Sequence, residues 1–173
     1  MTFEEQMKSA SVLALLVTET GELEGRLRVQ KLMYLLQRKG VRALEPLFFQ
    51  YHHYGPFSTD VVDMLNEGVR SRIVEEHRER DGEWEKYTYR PEENASRYAQ
   101  KADLATRAIV AEVLQACRGA HWRTLELAAT TDFLRRSEGL DWDTALRGAL
   151  ERKPACKPYE GAARKVIEAL ALD

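Results

Sequence analysis

The dipeptide Asp81-Gly82 constrains the fold more than any other short feature, because it lies in the middle of the stretch RIVEEHRERDGEWEKYTYR. A two-residue turn of this kind between strand-forming segments is the strongest local signal for a β-hairpin. The expected cross-strand pairs are Arg80–Glu83, Arg78–Glu85, Glu76–Tyr87 and Val74–Tyr89. Two of these pairs join opposite charges, which supports the register. The sequence therefore predicts one antiparallel hairpin whose outer half is solvated and wing-like.

Apolar residues at three- and four-residue steps predict helices on both sides of this hairpin. The expected helices cover 2–18, 25–39 and 59–67 before it, and 93–118, 121–137, 141–152 and 159–171 after it. Gly40 suits a left-handed cap after the second helix, and Ser58 and Asp141 suit N-caps. Pro154 and Pro158 separate the last two helices, since proline cannot continue a helix.

This order of elements predicts a mainly α fold with one β-hairpin. We expect a single domain over residues 1–173, made of a winged-helix-like N-terminal half (1–92) and a C-terminal helical bundle (93–173). A chain of 173 residues with 44% hydrophobic content is long enough for one sizeable core.

Charge and hydropathy exclude several classes of protein. A net charge of -2 argues against a chain that coats nucleic acid or anionic membrane by bulk charge. The longest apolar run, SVLALLV, is far shorter than the roughly 18 residues that a membrane span needs. The N-terminus has no basic region leading into an apolar stretch, so we expect a cytoplasmic protein without a membrane segment. Cys117 and Cys156 lack the spacing of a zinc site or a disulfide framework, and both are expected to be reduced.

The stretch YHHYGPFST is the densest cluster of chemically interesting side chains. It is interpreted as an aromatic strand end, a turn at Gly55-Pro56 and a helix cap at Ser58. His52 and His53 are adjacent, so in an extended segment they point to opposite faces and cannot readily hold one metal ion together. One histidine is expected in the core and the other at the surface, with no metal and no cofactor bound.

The sequence also offers little for catalysis. Ser58 is accounted for as a helix cap, and burial of Cys117 in a helix would raise the pKa of its thiol and blunt it as a nucleophile. The glycines are scattered and form no phosphate-binding loop. We therefore expect the protein not to be an enzyme.

The strings VQKLMYLLQRKG and FFQYHHYGPFSTDV, followed by the hairpin, resemble the YwgA-like family and the wider Panacea group, which includes SocA-like antitoxins. The positions that carry the resemblance are Gln30, Lys31, Leu32, Tyr54, Gly55, Pro56, Phe57, Ser58 and a Lys153-Pro154 break. The resemblance departs after that break, where Ala155 and Cys156 stand. It implies a non-enzymatic protein that either neutralises a toxin or acts as a proteolytic adaptor.

Two groups of residues are candidates for binding a partner. On the second helix, Arg28, Lys31, Arg38 and Lys39 fall within about a third of the circumference and predict a basic ridge. This ridge is open to three interpretations: a solvated face, a site for an acidic protein, or a site for phosphates. The aromatic candidates, which either pack the hairpin or recognise a partner, are Tyr54, Phe57, Trp84 and Tyr87.

The function expected from these observations is a non-catalytic protein-interaction module of the antitoxin or adaptor type. It would neutralise or deliver a protein partner, either a toxin or a client of a protease. The alternative is a winged-helix DNA-binding transcriptional regulator. Its recognition helix would be 59–67, which carries three carboxylates and no Lys or Arg, so duplex nucleic acid is a disfavoured partner.

Overall fold

The computed structural model describes residues 2–172, and helices dominate the chain. The α-helices are α1 (Phe3–Thr20), α2 (Arg26–Arg38), α3 (Thr59–Arg70), α4 (Ala95–Ala99), α5 (Leu104–Ala116), α6 (Trp122–Glu138), α7 (Trp142–Arg152) and α8 (Glu160–Leu170). The strands are β1 (Leu23–Glu24), β2 (Gln50–His52), β3 (Gly55–Phe57), β4 (Val74–Asp81) and β5 (Trp84–Pro91). Two 3₁₀ segments cover Arg42–Leu44 and Pro154–Tyr159. The prediction of a mainly α fold with a β-hairpin is confirmed.

Helix α6 lies at the centre of the molecule. Residues 124–132 of this helix are all buried, and α6 packs against α2, α7, α8 and β3. The same hydrophobic cluster includes Leu13 of α1, Leu36 of α2 and Val166 of α8, so it joins the two halves of the chain. A helix that is buried all round must find partners for any charge it carries, and α6 carries Glu126 and Asp132 in that buried stretch.

The predicted hairpin is formed by β4 and β5, but its predicted register is wrong. The observed pairs are Val74–Pro91, Glu76–Tyr89, Arg78–Tyr87 and Arg80–Glu85, two residues away from the expected ones. Asp81 pairs with Trp84, so Gly82 and Glu83 form the turn, and Gly82 has a φ of 62°. Glycine at the first central position is the pattern of a type II′ turn, which the Asp-Gly signal does not distinguish from type I′. A shift of two leaves every side chain on its expected face.

Strand β1 was not predicted and adds to this hairpin from the loop after α1. Leu23 pairs with Tyr89 and Glu24 with Thr88, which gives a sheet in the order β1-β5-β4. The winged-helix interpretation of this half of the chain stays a prediction.

The YHHYGPFST stretch folds into a second, short hairpin. Strands β2 and β3 pair antiparallel, with His52 opposite Gly55, so the two-residue turn is formed by His53 and Tyr54. The predicted turn at Gly55-Pro56 is wrong, because both residues lie in β3. Gly55 has a φ of 83° directly after the turn, which only glycine adopts without strain.

Two predicted helices also differ from the structure in their bounds. Helix α3 continues past Gly68 to Arg70, because Gly68 is a close-packing site: a Cβ there would lie 2.9 Å from Leu13 Cδ2. The predicted helix 93–118 is two helices, since Asp103 starts a new one by accepting a hydrogen bond from the Thr106 amide at 2.7 Å.

Between residues 2 and 172, no helix is long and apolar enough to cross a membrane.

Candidate functional site

Two buried lysines hold the β2–β3 hairpin by its backbone. Lys31 of α2 donates a hydrogen bond from Nζ to the Pro56 carbonyl oxygen at 2.7 Å. Lys153, directly after α7, donates one from Nζ to the carbonyl oxygen of His53. The two residues are 1% and 6% exposed. The hairpin is therefore fixed at both its turn and its second strand.

The counter-charge for these cations is Glu126 of α6. Its Oε1 lies 2.9 Å from Lys153 Nζ, and the two side chains are 5% and 4% exposed. Its Oε2 accepts a weak hydrogen bond from Cys156 Sγ at 3.5 Å. We call Lys31, Lys153 and Glu126 the lysine clamp.

Burial dominates the electrostatics of the clamp. Desolvation lowers the pKa of Lys31 from 10.5 to about 7, with a further lowering by Lys153 that is opposed by Glu126. Burial also raises the pKa of the Cys156 thiol to about 11, helped by the neighbouring charge of Glu126. Desolvation raises the pKa of Cys117 to about 12. Both thiols stay protonated near neutral pH, which argues against a cysteine nucleophile.

The remaining motif residues pack the same hairpin. The side-chain amide of Gln30 bonds both backbone groups of Ser58, donating to its carbonyl at 2.9 Å and accepting from its N–H at 3.0 Å. Ser58 occupies the N-cap position of α3, but its side chain makes no capping hydrogen bond, so that part of the prediction is wrong. Gly55 faces Thr130 so closely that a Cβ at this position would lie 2.1 Å from Thr130 Oγ1.

Side chains at the turn end of the hairpin face solvent, and the rings of Tyr51 and Tyr54 also lie 5.9 and 6.0 Å from Lys153 Nζ of the clamp. Tyr51, His52, His53 and Tyr54 are all exposed, with Tyr51 at 41% and Tyr54 at 44%. We call these four residues the hairpin surface. Both histidines lie on it, so the expectation that one is buried is wrong. Across residues 2–172, no group of three or more His, Cys, Asp or Glu side chains is placed to hold a metal ion.

Further aromatic groups continue this surface onto α6. The ring of Trp122 lies 6.4 Å from that of Tyr54, and His121 stacks on Tyr159 at 4.5 Å. Phe57, a predicted binding residue, is half-buried with its ring 5.2 Å from that of His52. Sequence reasoning missed Trp122, because a tryptophan at a helix start carries no local signal of a surface role.

The predicted basic ridge on α2 does not exist as an exposed surface. Lys31 is buried in the clamp. Arg38 forms an ion pair with the buried carboxylate of Asp132 at 2.7 Å, and Lys39 pairs with Glu112 at 2.8 Å. Arg28 donates a hydrogen bond to the Ala120 carbonyl at 2.9 Å. The prediction of an exposed basic ridge is wrong because α2 is packed on several sides, so its cations contact other elements.

Two of the predicted aromatic residues, Trp84 and Tyr87, lie on the β4–β5 hairpin. Trp84, next to the turn of this hairpin, is 79% exposed. Tyr87 is half-buried beneath the guanidinium of Arg26, 3.8 Å from the ring centroid. Tyr87 and Arg28 line one groove with Trp122. The structure thus brings Arg28, Tyr54 and Tyr87 close to Trp122, while Lys31 is buried in the clamp.

A second buried polar cluster joins α2 to α6. The Tyr34 hydroxyl donates a hydrogen bond to Asp132 Oδ2 at 2.6 Å, and Arg38 Nε donates to the same oxygen. Burial raises the pKa of Tyr34 strongly, and the Asp132 carboxylate adds to the rise. Both Tyr34 and Arg38 of α2 bond the Asp132 carboxylate of α6, so this cluster holds the two helices together.

No known protein-family model matches the chain. Over 98 residues the chain is 26% identical to the uncharacterised protein YwgA of Bacillus subtilis (strain 168). The matched region covers 57% of this chain and 58% of that protein. The comparison supports a likeness to YwgA, while the wider likeness to Panacea and SocA stays a prediction.

Proposed function

We propose that the protein is a non-catalytic interaction module that binds a protein partner through the hairpin surface and the adjacent Trp122. The lysine clamp is the observation that supports this most. It places three ionic side chains in the interior: Lys31 and Lys153 bond the backbone of a hairpin that carries exposed side chains, and Glu126 pairs with Lys153.

Burying a charged side chain costs free energy, because the charge loses its contact with water. Desolvation makes a buried ion pair a poor source of stability compared with apolar residues of similar size. A clamp of this kind fixes geometry instead, because each ammonium must meet a carbonyl at a defined position. What it fixes is the shape in which Tyr51, His52, His53 and Tyr54 face solvent, and tyrosine is enriched in protein-binding hot spots.

Within this class, the antitoxin or adaptor role is the more specific proposal. It rests on the motif resemblance, since YwgA itself is described only as uncharacterised. The alternative of a DNA-binding regulator has less support. Helix α3 carries Asp60 in its first turn and Asp63 after it, and its Arg70 is paired with Glu67 at 3.3 Å, so this helix offers phosphate little attraction.

Affinity purification from the organism that encodes the chain tests the proposal. Tagged wild-type protein is compared with Tyr54→Ala and with Leu104→Ala, a control on α5 that removes an 85% exposed apolar side chain. We expect one stoichiometric protein partner that survives nuclease treatment and is lost only with Tyr54→Ala. A partner retained by Tyr54→Ala, or recovered only while nucleic acid is intact, would overturn the proposal.

A further inference from the structure

A groove next to the hairpin surface separates β5 from the start of α6. It has a volume of about 420 Å³ and is lined by Gly25, Leu27, Arg28, Tyr87 and Trp122, with Glu24, Arg26, Glu85 and Lys86 around it. We call it the Trp122 groove. The rings of Tyr87 and Trp122 and the side chain of Leu27 supply its apolar lining, and Arg28 supplies a cation.

Two arginines have no carboxylate partner in the described part of the chain: Arg28, which lines the groove, and Arg123, which follows Trp122 in α6. Arg28 makes one hydrogen bond, to the Ala120 carbonyl, which leaves most of its five N–H donors for other acceptors. Arg123 lies over the ring of Trp122, 4.7 Å from the centroid. Both therefore present positive charge beside an aromatic wall.

The neighbouring glutamates do not neutralise them, because each is already paired elsewhere. Glu24 pairs with Lys86 at 3.3 Å, and Glu22 pairs with Arg90 at 2.7 Å. Glu85 is paired with Arg78. The groove thus combines apolar walls with one cation in its lining, Arg28, and a second beside it, Arg123, and neither has a carboxylate partner in the described part of the chain.

We propose that the Trp122 groove binds an acidic segment of the protein partner, with its carboxylates on Arg28 and Arg123 and an apolar side chain against Tyr87 and Trp122. This inference rests on the proposed function and adds the chemistry of the partner. Arginine binds carboxylates in bidentate geometry, and such bonds are about twice as strong as neutral ones.

A single strand of nucleic acid would use the same residue types, stacking bases on Trp122 and placing phosphates on arginine. The small number of available cations argues against it, because a single strand carries one charge per nucleotide and the groove offers only Arg28 and Arg123 without a carboxylate partner in the described part of the chain. A short acidic peptide fits this balance better, since only some of its side chains are charged.

Peptide display tests the inference with a defined probe. Random 12-residue peptides are selected on the wild-type protein, and the most enriched peptide is synthesised and titrated by fluorescence anisotropy. We expect enrichment of Asp and Glu next to Phe, Tyr, Trp or Leu. The affinity should fall at least about 10-fold in Arg28→Gln and in Arg123→Gln. Arg97→Gln is the matched control, because Arg97 also lies over an aromatic ring, that of Tyr98, but on α4.

The tryptophan indole signals in an NMR spectrum locate the peptide. The Trp122 signal should shift, while that of Trp142, on α7, should not. Arg28→Gln also removes the bond to Ala120, so Arg123→Gln serves as the independent variant if Arg28→Gln alters folding.

The outcomes separate this inference from the proposed function. Peptides without acidic enrichment, or peptides that lose affinity in Tyr54→Ala but not in either arginine variant, overturn the inference and leave the proposed function standing. Failure to select any peptide whose binding depends on Tyr54 or on the arginines overturns both. A 12-nucleotide single strand that binds with the same arginine dependence and displaces the peptide makes nucleic acid the occupant. Self-association that is lost in the arginine variants would identify the occupant of the groove as a second copy of the chain. Either of these last two results, a single strand or a second copy in the groove, overturns the inference.

Discussion

Removing the charge of Glu126 should destabilise the protein severely. Glu126→Gln keeps the shape of the side chain but leaves the ammonium of Lys153, 4% exposed, without its anion. The neighbouring Lys31, whose pKa is already lowered by burial, would also lose the one charge that favours its protonated form.

The size of the effect follows from the geometry. At 2.9 Å and an effective dielectric constant of about 20, the attraction between Lys153 and Glu126 is about 6 kcal/mol, which roughly offsets several kcal/mol of desolvation for each ion. Removing one partner keeps the desolvation cost and loses the attraction, so Glu126→Gln should lower the free energy of unfolding by about 3–5 kcal/mol.

Urea denaturation followed by circular dichroism measures this loss. Arg152→Met is a matched control, because Arg152 precedes Lys153 and pairs with Glu138 at 3.0 Å, with both side chains about 40% exposed. An exposed pair contributes about 0.2–1 kcal/mol. The double variant Glu126→Gln with Lys153→Met should be less destabilised than the sum of the two single variants, since it leaves no unpaired charge in that pair. A loss below about 1 kcal/mol for Glu126→Gln, or strict additivity, would show that the clamp is not a buried, coupled ion pair.

Three further outcomes are expected. Because the pKa of Lys31 is about 7 in the folded protein and 10.5 for a lysine free in water, the unfolded chain binds more protons above pH 7, so the free energy of unfolding should rise between pH 7 and 8.5. Lys31→Met should remove this dependence of the free energy of unfolding on pH, whose upper limit is about 1.4 kcal/mol per pH unit. Urea denaturation at several pH values measures it, and an unchanged dependence in Lys31→Met would contradict the lowered pKa of Lys31. Gly55→Ala should destabilise the fold for two reasons: its Cβ would clash with Thr130 Oγ1, and alanine is strained at a φ of 83°. Adding Thr130→Ala should remove the clash but not the backbone strain, so the melting temperature should recover only in part. Full recovery, or none, would refute this separation of the two causes. Trp84→Ala, at a 79% exposed position, should change the melting temperature by less than about 2 °C, and a larger drop would mean that the hairpin tip is packed.

Most helices of this fold could be predicted because their apolar periodicity is strong. Residues 12–17 of α1 are all buried, as the continuous apolar run indicates, and Gly40 has the left-handed conformation expected after α2, with a φ of 89°. The predicted end of a helix is wrong where a tertiary contact decides where that helix ends. Gly68 looks like a helix stop in sequence, but it is a close-packing position against Leu13.

The candidate site was predicted in part. The residues that resemble the family motif do converge, yet their role differs from the predicted one, since Lys31 binds the Pro56 carbonyl instead of a partner. Helical geometry on its own could not show this, because an arc of cations beside an apolar stripe looks the same whether solvent or another element covers it. Glu126 could have been found: a carboxylate in the apolar stretch TLELAATTDFL implies a buried charge, and a buried charge requires a partner.

Site-specific photocrosslinking is the most direct test of the claim that the hairpin surface binds a protein. Tyr54 is replaced by the photoreactive residue benzoyl-phenylalanine, and Leu104 is replaced in the same way as the control. The tagged proteins are irradiated in the organism that encodes the chain, and the adducts are identified by mass spectrometry. We predict one protein adduct from position 54 and none from position 104. An adduct to nucleic acid, the same adducts from both positions, or no adduct from position 54 would contradict the account.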